Sequence, residues 1–186
     1  MFVTGPPGIG KSALLAALRA DIGRRAGWCA YGAFADQALA GPYTALAHAL
    51  DDLARQLLAE PAPRLRQIQQ QLRQAVGSNG ALLLSLAPGF ERLIGTHPAM
   101  LTIAAEQPAR LLATLRLVFD ALAKWGRPLA LCIDDLQRAD MNSLEILRRL
   151  LLEGPRPPVL VVISLTTGIP VDTAVLLTAA EIQRQR

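Results

Sequence analysis

The chain predicts an α/β fold in three layers, a parallel sheet between helices, and three observations predict it. Short apolar runs at Trp28–Phe34, Pro128–Ile133 and Val159–Leu165 have the continuous apolar character of strands buried on both faces. Long amphipathic stretches separate them, which is the alternation of a βαβ protein. A glycine-rich turn, Gly5 to Ser12, joins the first strand to the first helix. The length of 186 residues suits one domain with a real core, and 52% hydrophobic residues with only 4% aromatic fit an Ala/Leu-rich protein.

Taken in order, Phe2-Val3-Thr4 reads as the end of a strand. It is shorter than the five or six residues, roughly, of a central strand. Either the numbering starts inside a longer protein or the domain has lost its beginning, and the expectation is a core truncated at both ends, a fragment of a larger protein. A helix is expected from Lys11 to about Ile22, stopped by Gly23 and Gly27. After the second strand, Tyr43, Leu46, Ala47, Leu50, Leu53, Ala54, Leu57 and Leu58 fall on one helical face. Pro61 and Pro63 break the chain before a polar helix over Arg64–Val76. Gly77 to Gly80 is a turn, Ala81 to Ile94 reads as short helices broken at Pro88-Gly89, and His97 to Pro108 reads as loop. Residues 61–108 are thus expected to form a helical insertion in a single domain over 1–186. A helix over Ala109–Lys124 turns Leu111, Leu112, Leu115, Val118, Phe119 and Leu122 to the core. The Pro128–Ile133 strand ends in Asp134-Asp135, a helix capped by Asn142 or Ser143 runs to Glu153, and a strand over Val159–Leu165 follows. A last helix starts at Asp172 or Thr173 as cap.

The turn Gly5-Pro6-Pro7-Gly8-Ile9-Gly10-Lys11-Ser12 matches the phosphate-binding loop pattern. Its glycines let the backbone approach a polyphosphate, and the following helix adds the positive end of its dipole. Gly5, Pro6, Gly8, Ile9, Gly10, Lys11, Ser12 and Ala13 are the candidate nucleotide-binding residues, with ATP or ADP as ligand. Lys11 reaches the β- and γ-phosphates and the Ser12 hydroxyl holds Mg²⁺. Asp134, at the tip of a parallel strand, is the second candidate Mg²⁺ ligand, and Asp135 is placed to orient or deprotonate an attacking water. With Lys11, Asp135 is the candidate catalytic residue. The strands that carry the two motifs are expected side by side.

Composition removes other classes. The net charge is +4 and the pI about 9.7, but the arginines are scattered through helical stretches without a dense basic block. Direct nucleic-acid binding is not expected. The longest apolar runs are far too short to span a membrane, and no signal-peptide pattern opens the chain, so the expectation is a cytoplasmic protein without membrane contact. Cys29 and Cys132 lie in expected buried strands and read as small core residues. His48 and His97 have no partners at ligand spacing, which leaves no transition-metal site.

Leu131-Cys132-Ile133-Asp134-Asp135-Leu136-Gln137-Arg138-Ala139-Asp140, followed by Ser143 to Leu147, resembles the Walker B region of STAND-class P-loop ATPases. These are the AAA-like ATPase modules of large bacterial signal-transduction regulators and sensor kinases. Gly8 to Leu14, Phe34 with Asp36-Gln37, Pro42-Tyr43 and Leu93-Ile94-Gly95 are similar as well. The resemblance covers about residues 3 to 165 and implies a P-loop NTPase core. It also implies Lys11 and Ser12 on phosphate and Mg²⁺, Asp134 on Mg²⁺ and Asp135 as catalytic carboxylate. Two departures stand out. Arg138 occupies a position where the family has Trp, and Thr166-Thr167-Gly168 follows the last strand where the family has an aromatic-Arg pair that senses the γ-phosphate. The expected function is a Mg²⁺·ATP-binding switch with weak hydrolysis. It would be the nucleotide core of a signalling or transcriptional regulator whose partners are its other domains or its own homo-oligomer. A degenerate interaction scaffold without catalysis and a nucleic-acid-stimulated ATPase are the alternatives.

Overall fold

A computed structural model describes residues 1–34, 41–97, 108–155 and 157–184. Four strands, β1 (Phe2–Gly5), β2 (Trp28–Ala33), β3 (Leu129–Asp134) and β4 (Leu160–Thr166), form one sheet in the order β1-β4-β3-β2, with every pairing parallel. The expected α/β class and its parallel sheet are present. Two expectations about β1 are corrected. It lies on the edge of the described sheet, and β4 separates it from β3, so the strands carrying the two motifs are not neighbours. Strand order is set by pairing between residues far apart in the chain, here Gly5 with Thr166, which no local pattern encodes.

Alternation along the strands sorts the core into two layers. Cys29, Ala130, Cys132 and Val162 point to one face and pack under Leu15 and Ile22 of α1 (Lys11–Arg24). Trp28, Ala30, Leu129, Leu131, Ile133, Val161 and Ile163 point to the other. That second face carries the larger core, built with α2 (Thr44–Leu58), α6 (Pro108–Ala123) and α7 (Met141–Leu152). All six apolar residues expected on the inner face of α6 are buried. On α2, Tyr43, Leu46, Leu50, Leu53, Ala54 and Leu57 are buried, whereas Ala47 and Leu58 are half-buried.

Between α2 and α6 the chain forms α3 (Ala62–Val76), a 3₁₀ turn at Gly77–Asn79, α4 (Gly80–Leu86), a second turn at Pro88–Phe90 and α5 (Glu91–Ile94). Ile68, Leu72, Leu82, Leu83, Phe90 and Leu93 join the larger core from these helices. The expected loop over 98–107 and the similar Asp36-Gln37 pair lie outside the described residues.

The cap of α7 is Asp140, not Asn142 or Ser143. Asp140 Oδ1 accepts the Ser143 amide at 2.9 Å, and Ser143 Oγ donates to Asp140 Oδ2 at 2.6 Å, so Ser143 sits inside the first turn and supports the cap. At α8 (Thr173–Arg184), Asp172 Oδ1 accepts the Ala174 amide at 2.7 Å as an N-terminal cap does. Cys29 and Cys132 sit in the core as expected, their sulfurs 3.5 Å apart across β2 and β3 and unbridged.

Candidate functional site

The C-terminal ends of β1, β3 and β4 converge on the start of α1, and the loop between Gly5 and Lys11 closes over them. Gly8 and Gly10 hold φ at +76° and +96°, where a side chain is strained, and the loop keeps its path because both lack one. Gly10 is the N-cap of α1 and no side chain caps that helix. The first-turn amides therefore present the positive end of the helix dipole to whatever anion enters. Lys11 is only 9% exposed, and its Nζ donates to the carbonyls of Gly5 at 3.1 Å and Pro6 at 3.0 Å. The ammonium is thereby held inside the curl of the loop.

Strand alternation also decides what faces α1. Tyr31, Asp134 and Ser164 share parity with the residues under α1, so all three project to that side at the ends of β2, β3 and β4. Tyr31 donates its hydroxyl to Asp134 Oδ2 at 3.0 Å, and Ser164 Oγ donates to Asp134 Oδ1. The Asp135 amide donates to Asp134 Oδ1 at 3.1 Å and to Ser164 Oγ at 2.9 Å. Burial alone would raise the Asp134 carboxyl. Hydrogen bonds from Ser164, Ser12, Tyr31 and the Asp135 amide outweigh it and hold the group below the usual carboxylate value. Burial first, and then its bond to Asp134, pushes the Tyr31 phenol up to about 12, so it remains a donor at neutral pH.

Asp135 follows in the left-handed region with φ +60°, which turns its side chain away from the buried network. Gln137 Nε2 donates to Asp135 Oδ1 at 2.7 Å while its Oε1 accepts the Thr166 amide at 2.9 Å. One side chain therefore fixes the carboxylate to the tip of β4. The result is a cleft of about 490 Å³ with Gly8, Gly10, Lys11, Ser12 and Ala13 on one wall and Asp135, Gln137, Arg138, Thr166 and Ile169 on the other.

Most of the expected site is brought together. Lys11, Ser12 and Ala13 share the cleft with Asp135, and Asp134 lies beneath them within reach of Ser12. Gly5 and Pro6 do not line it but offer carbonyls to Lys11, and the Ile9 side chain faces solvent. Thr166, not Thr167, is on the wall. Sequence reasoning missed Tyr31, Ser164 and Gln137 as parts of the site. The available signal was a polar residue inside an apolar run, as Ser164 is between Ile163 and Leu165.

The donors suit a hard cation. Ser12 offers a hydroxyl and Asp134 a charged carboxylate, both oxygen ligands. Among the described residues no cluster of three or more His, Cys, Asp or Glu could hold a metal by itself. A cation here would complete its shell with phosphate and water oxygens, which is the habit of Mg²⁺. Among the described residues, no helix is long and apolar enough to cross a membrane.

Against known proteins, a family model described as AAA ATPase domain matches residues 1–162, a span that includes both Gly5–Ser12 and Asp134-Asp135. The chain is also similar to hybrid signal transduction histidine kinase G of Dictyostelium discoideum, with 28% identity over 152 residues. That alignment covers 81% of this chain and 4% of the kinase, so the chain spans a small part of its relative's length. No solved structure matches the chain.

Proposed function

The chain belongs to the AAA ATPase domain family, and from that premise we propose that it is a Mg²⁺·ATP-binding switch module with weak ATP hydrolysis. The observation that carries the reading is the single cleft in which the uncapped N-terminus of α1, Lys11 and Ser12 face the Asp135 wall over a charged Asp134. In this reading the amides from Gly8 to Ala13 and the Lys11 ammonium bind the phosphates. Ser12 and Asp134 would hold Mg²⁺, which when bound would supply charge neutralisation at the phosphate oxygens. Asp135, oriented by Gln137, accepts a proton from or positions the attacking water.

Hydrolysis is weak because the tip of β4 carries Thr166, a neutral hydroxyl, and so adds no positive charge from that strand where charge builds on the γ-phosphoryl group. We place the chain within the STAND class, as one cytoplasmic domain over 1–186 with a helical insertion at about 61–108. It would be the nucleotide core of a multidomain signalling or transcriptional regulator. The name of the kinase relative supports the signalling role, and the other domains of the same regulator, or its homo-oligomer, are the partners.

Titration with a fluorescent ATP analogue in Mg²⁺ tests the reading. Saturable binding that Lys11→Ala weakens at least about tenfold, or ~1.4 kcal/mol, supports it. Equal binding by both proteins would overturn it.

A further inference from the structure

We infer that Arg138 is the residue that distinguishes ATP from ADP in this site, by contacting the terminal phosphate; this rests on the nucleotide reading above. The cleft has two carboxylic side chains at its floor and wall, Asp134 and Asp135, and its occupant is itself polyanionic. Lys11 is drawn to the loop side by the Gly5 and Pro6 carbonyls. On the opposite wall Arg138 is the one basic side chain among the described lining residues.

Its backbone is fixed there. The 3₁₀ turn Leu136–Arg138 is anchored by buried Leu136, closed by the Arg138 amide donating to the Asp135 carbonyl at 3.0 Å, and tied at Gln137 to both Asp135 and β4. Arg138 therefore stands one short turn from the carboxylate that faces the reacting phosphate. Its side chain is exposed and lines the cleft. A guanidinium presents a planar fork of donors that matches phosphate oxygens in pairs, a contact a lysine makes less well.

Arg138 also lines a second cavity of about 340 Å³ together with Phe34, Thr44, Asp140 and Asp172, near the starts of α2, α7 and α8. A side chain on the wall shared by both cavities can pass a change at the phosphate to those helix ends. The loop side binds the phosphates that ATP and ADP have in common, so a contact from the far wall to the terminal phosphate exists only with ATP. Only such a differential contact can shift a switch.

Equilibrium titrations of the intact chain with AMP-PNP and with ADP, both with Mg²⁺, test this. Arg138→Gln should weaken AMP-PNP binding roughly tenfold and leave ADP binding unchanged, with Arg138→Lys in between. Arg66→Gln, at an exposed position of α3, carries the same charge loss and should change neither affinity. Equal weakening of both ligands by Arg138→Gln, or of neither, overturns the assignment of Arg138 while leaving the nucleotide site standing. Failure of the wild type to bind either ligand overturns the nucleotide reading itself and this inference with it.

Discussion

Ser164 shows how much of the site depends on a residue that carries no chemistry of its own. It donates to Asp134 Oδ1 and accepts the Asp135 amide, so it sets the position of both carboxylates from the neighbouring strand. Ser164→Ala removes a donor from a buried charge and should cost about 1–3 kcal/mol, read as a lower urea midpoint without loss of native circular dichroism. Asp135 should behave differently, because its carboxylate lies on the cleft wall and takes no part in burying Asp134. Asp135→Asn should lower single-turnover hydrolysis while nucleotide affinity stays within about twofold, since a water-orienting group acts on the reaction step. Hydrolysis indifferent to that change would show the catalytic carboxylate to be misassigned. At this scale Lys11, Ser12, Asp134 and Asp135 could be named from the sequence because each belongs to a motif that is local in the chain. Tyr31 and Ser164 were not, because they meet Asp134 only when three strands align.

α2 packs along β2 and protects an edge of the described sheet. In the described sheet β2 has a neighbour strand on one side only, and on the other Gln56 of α2 accepts the Cys29 amide at 3.0 Å and donates to the Cys29 carbonyl at 2.8 Å. Asp52 accepts the Tyr31 amide at 3.3 Å, and Arg19 pairs with it at 2.6 Å, which links α1 to α2 around that edge. Such an approach requires Gly32, where an added Cβ would lie 1.9 Å from the Ala45 carbonyl oxygen. Gly32→Ala must push α2 off the edge and should destabilise by about 1–3 kcal/mol or more, measured by thermal melting. The far end of α2 is held by charge. Glu60 accepts from Arg127 at 2.6 Å, Arg64 at 2.8 Å and the Trp28 indole at 3.0 Å. Burial would raise its carboxyl, but those donors hold it below the ordinary value. A lowered folded value means that this stabilisation is complete above the unfolded carboxyl's pKa of about 4.3 and is lost as pH falls through the folded one. Glu60→Gln should therefore flatten the fall of the urea midpoint between about pH 5 and about pH 3 relative to wild type. The α2 and α6 faces were legible from their periodicity. The place of β1 at an edge and the Gln56 contact with β2 were not, because both depend on which strand lacks a neighbour.

At the scale of the whole molecule, the site is assembled from parts that are distant in the chain. β1 contributes the loop, β3 the two carboxylates, and β4, which runs between them, contributes Ser164 and Thr166. The floor is bound internally through Asp134, whereas the two walls of the cleft, the 5–12 loop and the Leu136–Arg138 turn, are separate segments. A ligand that touches both walls couples β1 and α1 to β3 and β4, and unfolding must then release it. For a ligand at a hundredfold excess over its Kd the added stability is ~2.7 kcal/mol, which for a chain in this size range raises Tm by roughly 5–11 °C. Mg²⁺·ATP should produce a rise of that order in a thermal melt. Chelating Mg²⁺ should reduce the rise, because Ser12 and Asp134 would no longer be joined to the phosphates through a cation. Lys11→Ala, which weakens binding at least about tenfold, should cut the rise by about half or more at the same ATP concentration. A nucleotide-induced rise that survives both Lys11→Ala and removal of Mg²⁺ undiminished would mean that ATP binds elsewhere on the molecule, outside the cleft between the loop and Asp135.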